Sequence, residues 1–495
     1  MSHEHKSRTP APIRFLFENS VFLIAGALAA LVWANVDPGP QGSYQRFVNY
    51  DLAHIPFDLG LMEAPADQHG ANQHGANQHD ANQHDADQHD AEQHGENDDA
   101  SHAADGEHGD EGAADATDKA GTEQDEHEGG HAHSLTMIVV LVNDILMALF
   151  FAIAGKEVWE ALLPGGALSN PRKAAVPLLA TAGGIVGPAG LYILGALILG
   201  KWGDYGGGWA IPCATDIAFS YLVARIIFGN GHPAIAFLLL LAIADDAAGL
   251  VILAVFYPNP AQPLNPWWLL LSVAAILLGF GMRKMRLHSF WWYLLIPGTM
   301  SWIAFHQAGI HAALGLVPII PTLPHAHTDL GIFARDELKR HDTLNEFEHW
   351  WKYPVEIILG LFGLVNAGVA FSNVGVGTAL VVVGLLVGKP LGIMVFTLFS
   401  DKVLKLNLPA GMNYRDVLSL GMVAGIGFTV ALFVSTAAFP EPGPIQDQVK
   451  MGALASFFAA VVAYVGARAL GVRPLKPEPP VVEESESAET EMANA

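Results

Sequence analysis

The sequence predicts an all-α polytopic membrane protein of about twelve transmembrane helices. Of its 495 residues, 51% are hydrophobic. They gather in repeated apolar stretches of about 20 residues, the length that crosses ~30 Å of hydrocarbon. The cationic residues add a second sign. With the N-terminus placed on the cytoplasmic side, 18 of the 25 Lys and Arg fall in cytoplasmic segments, which supports both that orientation and an even number of spans. The single cysteine, Cys213, excludes an intrachain disulfide framework and is read as a small packing residue.

The elements follow in order. Lys6, Arg8 and Arg14 precede a first span at 19–36 that lacks a small-residue cleavage pattern, so it is read as a retained helix. An external segment runs on to residue 63. From 64 to 133 the chain is predicted to be a disordered acidic loop. Histidine recurs there every five residues, at 69, 74, 79, 84, 89 and 94, and eleven of the 22 histidines lie in this stretch. Its histidines and carboxylates offer weak Zn²⁺ or Ni²⁺ ligation, but the period matches no defined site, and a solvated loop is the simpler reading.

The membrane core is placed at 134–472, with spans at about 137–163, 173–200, 209–229, 233–257, 266–283, 288–306, 309–323, 354–372, 376–401, 415–438 and 449–470. Residues 473–495 form an acidic cytoplasmic tail. The stretch 63–128 has 20 Asp/Glu against one Lys, and the tail from Pro474 has six against one. These two segments account for the net charge of −24, so the core is close to neutral and the charge argues for no nucleic-acid partner. No cofactor is expected.

Four charges lie at mid-span depth: Asp216, Asp245, Asp246 and Lys389. Each would cost roughly 2.5–3.5 kcal/mol there, and such residues mark ion or proton paths. Asp245 and Asp246 are adjacent on one helix and point about 100° apart, so one can face a cavity while the other pairs with a cation. Lys389, the lone mid-span lysine, is the natural partner. The span at 209–229 holds Pro212 and the polar pair Thr215–Asp216, and the span at 415–438 is weakened at Gly425, Gly427 and Thr429. Unwound backbone at membrane depth is tolerated only around a cavity or inside protein. Two interrupted segments in corresponding halves point to a transporter's central site. Asp216 would complement helix N-termini at such a break, and Lys389 helix C-termini. Close packing is the competing account of Gly425 and Gly427, and charge balance that of Asp216.

The runs IPCATDIAFS, LAIADDAAG, GIHAALG, VNAGVAF, VGKPLGI and GIGFT, with NDILMALFFAIAGKEV at 143–158, resemble the sodium/proton antiporters of the NhaA type in order and spacing. The resemblance covers about 14–63 and 134–472. It implies two inverted three-helix repeats, spans three to five and ten to twelve, whose broken helices cross in mid-membrane. It makes Asp245 and Asp246 the ion and proton carboxylates that hold Na⁺, and Lys389 their pairing lysine. Asp216, Thr215, Gly425, Gly427 and Thr429 then lie at the crossing. Asp144, Glu157, Glu348 and His349 match positions associated with the cytoplasmic funnel or pH response. His311 matches a histidine near the external end of its span, where packing and pH sensing both remain open. Three features depart from the family pattern: Lys156 stands where an apolar residue is usual, Glu160 is off the next acidic position, and EHWWKYP is one residue longer before its proline. The long insertion interrupts the family's dimerising hairpin, so homodimer formation stays open.

The implied activity is exchange of cytoplasmic Na⁺ or Li⁺ for external H⁺, electrogenic and pH-activated, in a bacterial inner membrane with both termini cytoplasmic. Burial disfavours the charged form of a carboxyl, so a hard cation binds as protons leave. Three other readings compete. A sodium-coupled symporter would need a roomier polar site for an organic substrate. An intramembrane aspartyl protease needs its two Asp facing across helices, which neighbours on one helix do not readily do. A metal-binding surface protein leaves the buried charges unexplained.

Overall fold

The computed structural model of the chain describes residues 21–38, 42–50, 138–259, 262–325 and 342–475. All belong to one of two units, Met1–Ile55 with His131–Ala495. The other unit, Pro56–Gly130, lies outside the described residues, and with it nearly all of the expected loop and, separately, all but the start of the acidic tail.

The described residues are helical and contain no strand. In chain order the helices are α1 (Val21–Val36), α2 (Ser43–Val48), α3 (Ile138–Leu162), α4 (Pro171–Ile198), α5 (Trp202–Cys213), α6 (Ile217–Phe228), α7 (Pro233–Phe256), α8 (Pro266–Lys284), α9 (290–307), α10 (Ala312–Thr322), α11 (Thr343–Asn366), α12 (Val376–Lys402), α13 (Tyr414–Ala424), α14 (Phe428–Ala438) and α15 (Pro444–Ala469). Six of these, α3, α4, α7, α8, α12 and α15, are long and apolar enough to cross a membrane; α5/α6 and α13/α14 raise the number to eight if each bent pair is one span. The other four expected spans fall on elements that are shorter, interrupted or more charged: α1, α9, α10 and α11.

Local chemistry sets the ends and irregularities. Pro233 starts α7, a position where its missing N–H costs nothing, and His232 caps it by accepting from Ala234 N at 3.1 Å. Asp342 caps α11 through Asn345 N at 2.9 Å. Pro297 lies in a π-turn of α9, and the π-turn of α12 immediately precedes Lys389–Pro390, where the missing donor forces the ladder to slip. The expected span at 309–323 is instead 3₁₀ turns over Ala312–Thr322, because Pro318 and Pro321 fall within eleven residues.

The described core holds two triplets of the same plan: α4, α5/α6, α7 and α12, α13/α14, α15. In each, a long helix precedes a broken pair, bent by 56° in the first and 50° in the second, and a long helix follows. Helix α4 packs along the Lys389–Lys402 half of α12. Gly183, Gly187, Gly388 and Gly392 bring the backbones together; a Cβ on Gly388 would sit 2.6 Å from Pro188 Cα. Helix α11 packs against α1 and α3, and α3 also touches α7 and α10. Outward apolar residues such as Val32, Val251, Leu277, Val395 and Val461 are exposed, a surface suited to lipid and not to water.

Candidate ion site at the helix crossing

The first break leaves Ala214, Thr215 and Asp216 between helices, and the second leaves Gly425–Gly427. The two breaks satisfy one another. Asp216 N donates to Ile426 O at 2.7 Å, Thr215 Oγ1 to Ala424 O at 3.1 Å, and Ser220 Oγ to Val423 O at 3.2 Å. Backbone polar groups that would be orphaned in lipid are thereby paired across the crossing. Gly427 is required by the close approach: a Cβ there would overlap Ala214 O.

Each charge answers a helix end. Asp216 is the N-cap of α6, its Oδ1 accepting from Phe219 N at 3.1 Å, while its Oδ2 accepts from Thr429 Oγ1 at the start of α14. One carboxylate therefore faces the positive ends of two helices. Lys389, fully buried, donates to Cys213 O, the last carbonyl of α5, and to Asp245 Oδ2 at 2.8 Å. Asp245 Oδ2 also lies 2.8 Å from Thr215 Oγ1, whose one proton it shares with Ala424 O. Cys213 is itself buried, its Sγ lying 3.5 Å from Ile185 O, as packing requires.

Asp246 is different. It shares a small cavity with Asp245, walled by Phe150, Phe151 and Ala154 of α3 and by Ala214 and Val430. Among the described residues it receives no hydrogen bond. So Asp245 is the carboxylate tied to lysine, and Asp246 is the one free to meet an occupant. At about 20 Å³ the cavity has room for a water-sized guest and not for an organic substrate. Among the described residues no three or more His, Cys, Asp or Glu side chains converge as a metal cluster; the site is two carboxylates with hydroxyl and carbonyl oxygens, the donor set of a hard cation.

The family profile for Na⁺/H⁺ antiporter 1 matches residues 122–466. The chain belongs to that family. A Na(+)/H(+) antiporter NhaA of Jannaschia sp. (strain CCS1) is 53% identical over 361 residues, covering 68% of this chain and 85% of the relative. That of Geotalea uraniireducens (strain Rf4) is 49% identical over 349 residues, covering 70% and 90%. One from Desulfitobacterium hafniense (strain Y51) is 47% identical over 336 residues, covering 68% and 85%.

In this Na⁺/H⁺ antiporter family member the remaining singled-out residues form two further groups. Asp144, in the first turns of α3, has its Oδ1 3.6 Å from His311 Nδ1, and the Phe433 ring lies tilted against the histidine ring, centroids 4.7 Å apart. Glu157 sits at the far end of α3, about 20 Å from Asp144 at 1.5 Å per residue, and Glu348 lies on α11. His349 is exposed on α11. Next to Glu157 in the chain is Lys156, 4% exposed, which bonds Glu160 at 2.6 Å and also Glu348. Two of the three departures from the family pattern, Lys156 and Glu160, thus partner each other. Their i,i+4 spacing was the available signal, whereas nothing in the sequence announces a pairing with Glu348, 192 residues away. The buried Asn143–Asn366 pair, joined at 2.8 and 3.1 Å between α3 and α11, also went unmarked in the sequence.

Proposed function

We propose that this chain exports Na⁺, or Li⁺, in exchange for H⁺ entering from outside, with Asp245 and Asp246 as the shared binding site. Membership of the Na⁺/H⁺ antiporter family supports the exchange, and one observation carries the site: Asp246 faces a cation-sized cavity while its neighbour Asp245 is held by Lys389. Protonation of Asp245 weakens its hold on Lys389; deprotonation of both carboxyls gives a hard cation two anionic ligands, with Thr215 Oγ1 close by. Cation and protons therefore compete for one site, and alternating exposure of it converts that competition into exchange. Two titrating carboxyls for one monovalent cation make the exchange electrogenic, so the membrane potential drives it at about 2.3 kcal/mol per charge per 100 mV. Because protons compete with the cation, activity rises with cytoplasmic pH.

The reading places the protein in a bacterial inner membrane with both termini cytoplasmic and 64–133 outside. It is tested in everted vesicles that have acidified their lumen. Adding Na⁺ should release luminal protons, seen as dequenching of a pH-sensitive dye, and release should be faster when a permeant ion holds an inside-positive potential. No dequenching with any monovalent cation across pH 6.5–9 would overturn it.

A further inference from the structure

We propose that Gly249 of α7 sets which cation the site takes: its missing side chain is the room that a cation with retained water occupies beside Asp245 and Asp246. The inference rests on the reading of those two carboxyls as the binding site, and it names the residue that fits the site to Na⁺.

A glycine inside a 24-residue helix calls for a reason, because glycine is a poor helix former. Three ordinary reasons fail at Gly249. Its φ is not positive, so no turn requires it. No helix end falls there, since α7 runs unbroken from Pro233 to Phe256. No neighbour crowds it either: a Cβ built on Gly249 meets nothing within 4 Å. The glycines of the crossing and of the α4–α12 seam are the opposite case, since a Cβ on Gly427 or Gly392 would run into backbone.

The open space beside Gly249 is the ion cavity. Residues three and four apart on a helix share a face, and Gly249 is i+3 from Asp246 and i+4 from Asp245. It lines the cavity with both carboxyls, and it is the one glycine among the described residues to do so. The other side chains around the cavity are apolar, among them Phe150, Phe151 and Leu253, so a cation held by the aspartates keeps water on that side. At about 20 Å³ the cavity exceeds by little the 10–15 Å³ or so that one water needs. A methyl group pointing into it displaces that water. A site short of room favours the cation that needs least of it, and Li⁺ is smaller than Na⁺. Protonation needs no room, so the proton half of the cycle is left as it was.

The test measures exchange in everted vesicles against Na⁺ and Li⁺ concentration at one alkaline pH, with melting temperature in detergent. It compares wild type, G249A, the double variant G249A/A154G and G190A. Gly190 of α4 has equally open surroundings, but it is exposed and outside the cavity lining. G249A should raise KM for Na⁺ roughly tenfold, the scale on which one methylene alters a fitted pocket, and KM for Li⁺ by less. Its maximal rate and melting temperature should stay at wild-type values or above. Ala154 supplies a methyl to another wall, so the double variant should recover Na⁺ affinity. G190A should leave both KM values unchanged, which separates lost room from a stiffer helix. An unchanged Na⁺ KM in G249A, equal rises for both cations, a G249A that no longer folds, or the same shift in G190A would overturn the proposal. So would a double variant that folds without recovering; should it not fold, G249A and G190A decide alone. Wild-type vesicles that respond to neither cation would instead overturn the binding-site reading itself.

Discussion

At the residue scale the different surroundings of Asp246 and of the Asp245–Lys389 pair set what each substitution should do. Asp246 has no protein partner to lose among the described residues, so Asp246→Asn should fold normally and abolish Na⁺-driven dequenching. Normal expression with wild-type exchange would remove Asp246 from the site. Lys389 is different because it is fully buried in a pair. Breaking such a pair from one side costs about 3–5 kcal/mol when the charge left behind cannot be neutralised. Lys389→Ala should therefore lower the melting temperature measured in detergent, because Asp245 is left buried without its cation. Lys389→Arg should retain partial exchange. The sequence made the neighbourhood legible, since charge at mid-span depth is rare. It left open which aspartate meets Lys389, because adjacent residues differ by 100° and only the packed helix has a defined phase.

At the element scale the two breaks were visible as Pro212 with Thr215–Asp216 and as Gly425-x-Gly427, while their mutual satisfaction was not. Asp216 N–H to Ile426 is a contact between residues 210 apart, with no trace in local pattern. Prolines also explain where the expected spans became irregular: α10 collapses into 3₁₀ turns and α9 takes a π-turn at Pro297. The glycine seam between α4 and α12 gives a prediction of its own. Gly392 faces Gly183 and Gly187 backbone to backbone, with no room for a side chain. Gly392→Leu should destabilise by about 1–3 kcal/mol or more through overpacking, measured as a lower detergent melting temperature. Unchanged stability would mean the seam separates readily.

At the scale of the whole molecule the acidic stretch 63–128, net −19, remains apart from the transport core in sequence and in composition. The field of surface charges at physiological salt decays within ~8 Å. Deleting 66–131 should accordingly preserve exchange, with a modest change in apparent cation affinity at most, and chelators should have as little effect. Loss of exchange in a deletion that still inserts would make the segment part of the machinery. The apolar runs that became α3, α4, α7, α8, α12 and α15 were readable because lipid imposes one strong rule on length and polarity. Helices buried by other helices obey that rule less strictly. That is why α11, with Glu346, Glu348, Lys352 and Glu356 along it, passes no simple hydropathy test although it packs against α1 and α3.

The crossing also bears on leakage. An exchanger that let both sides of the membrane reach its site at once would discharge the gradients it exists to build. Here the unwound stretch of one half is stitched to that of the other by a main-chain bond from Asp216 to Ile426, reinforced by Thr215 and Ser220. Neither stretch can be displaced alone without exposing amide and carbonyl groups in a medium that offers them nothing. The two halves are obliged to travel together, and a doorway open at both ends is the arrangement such stitching makes most expensive.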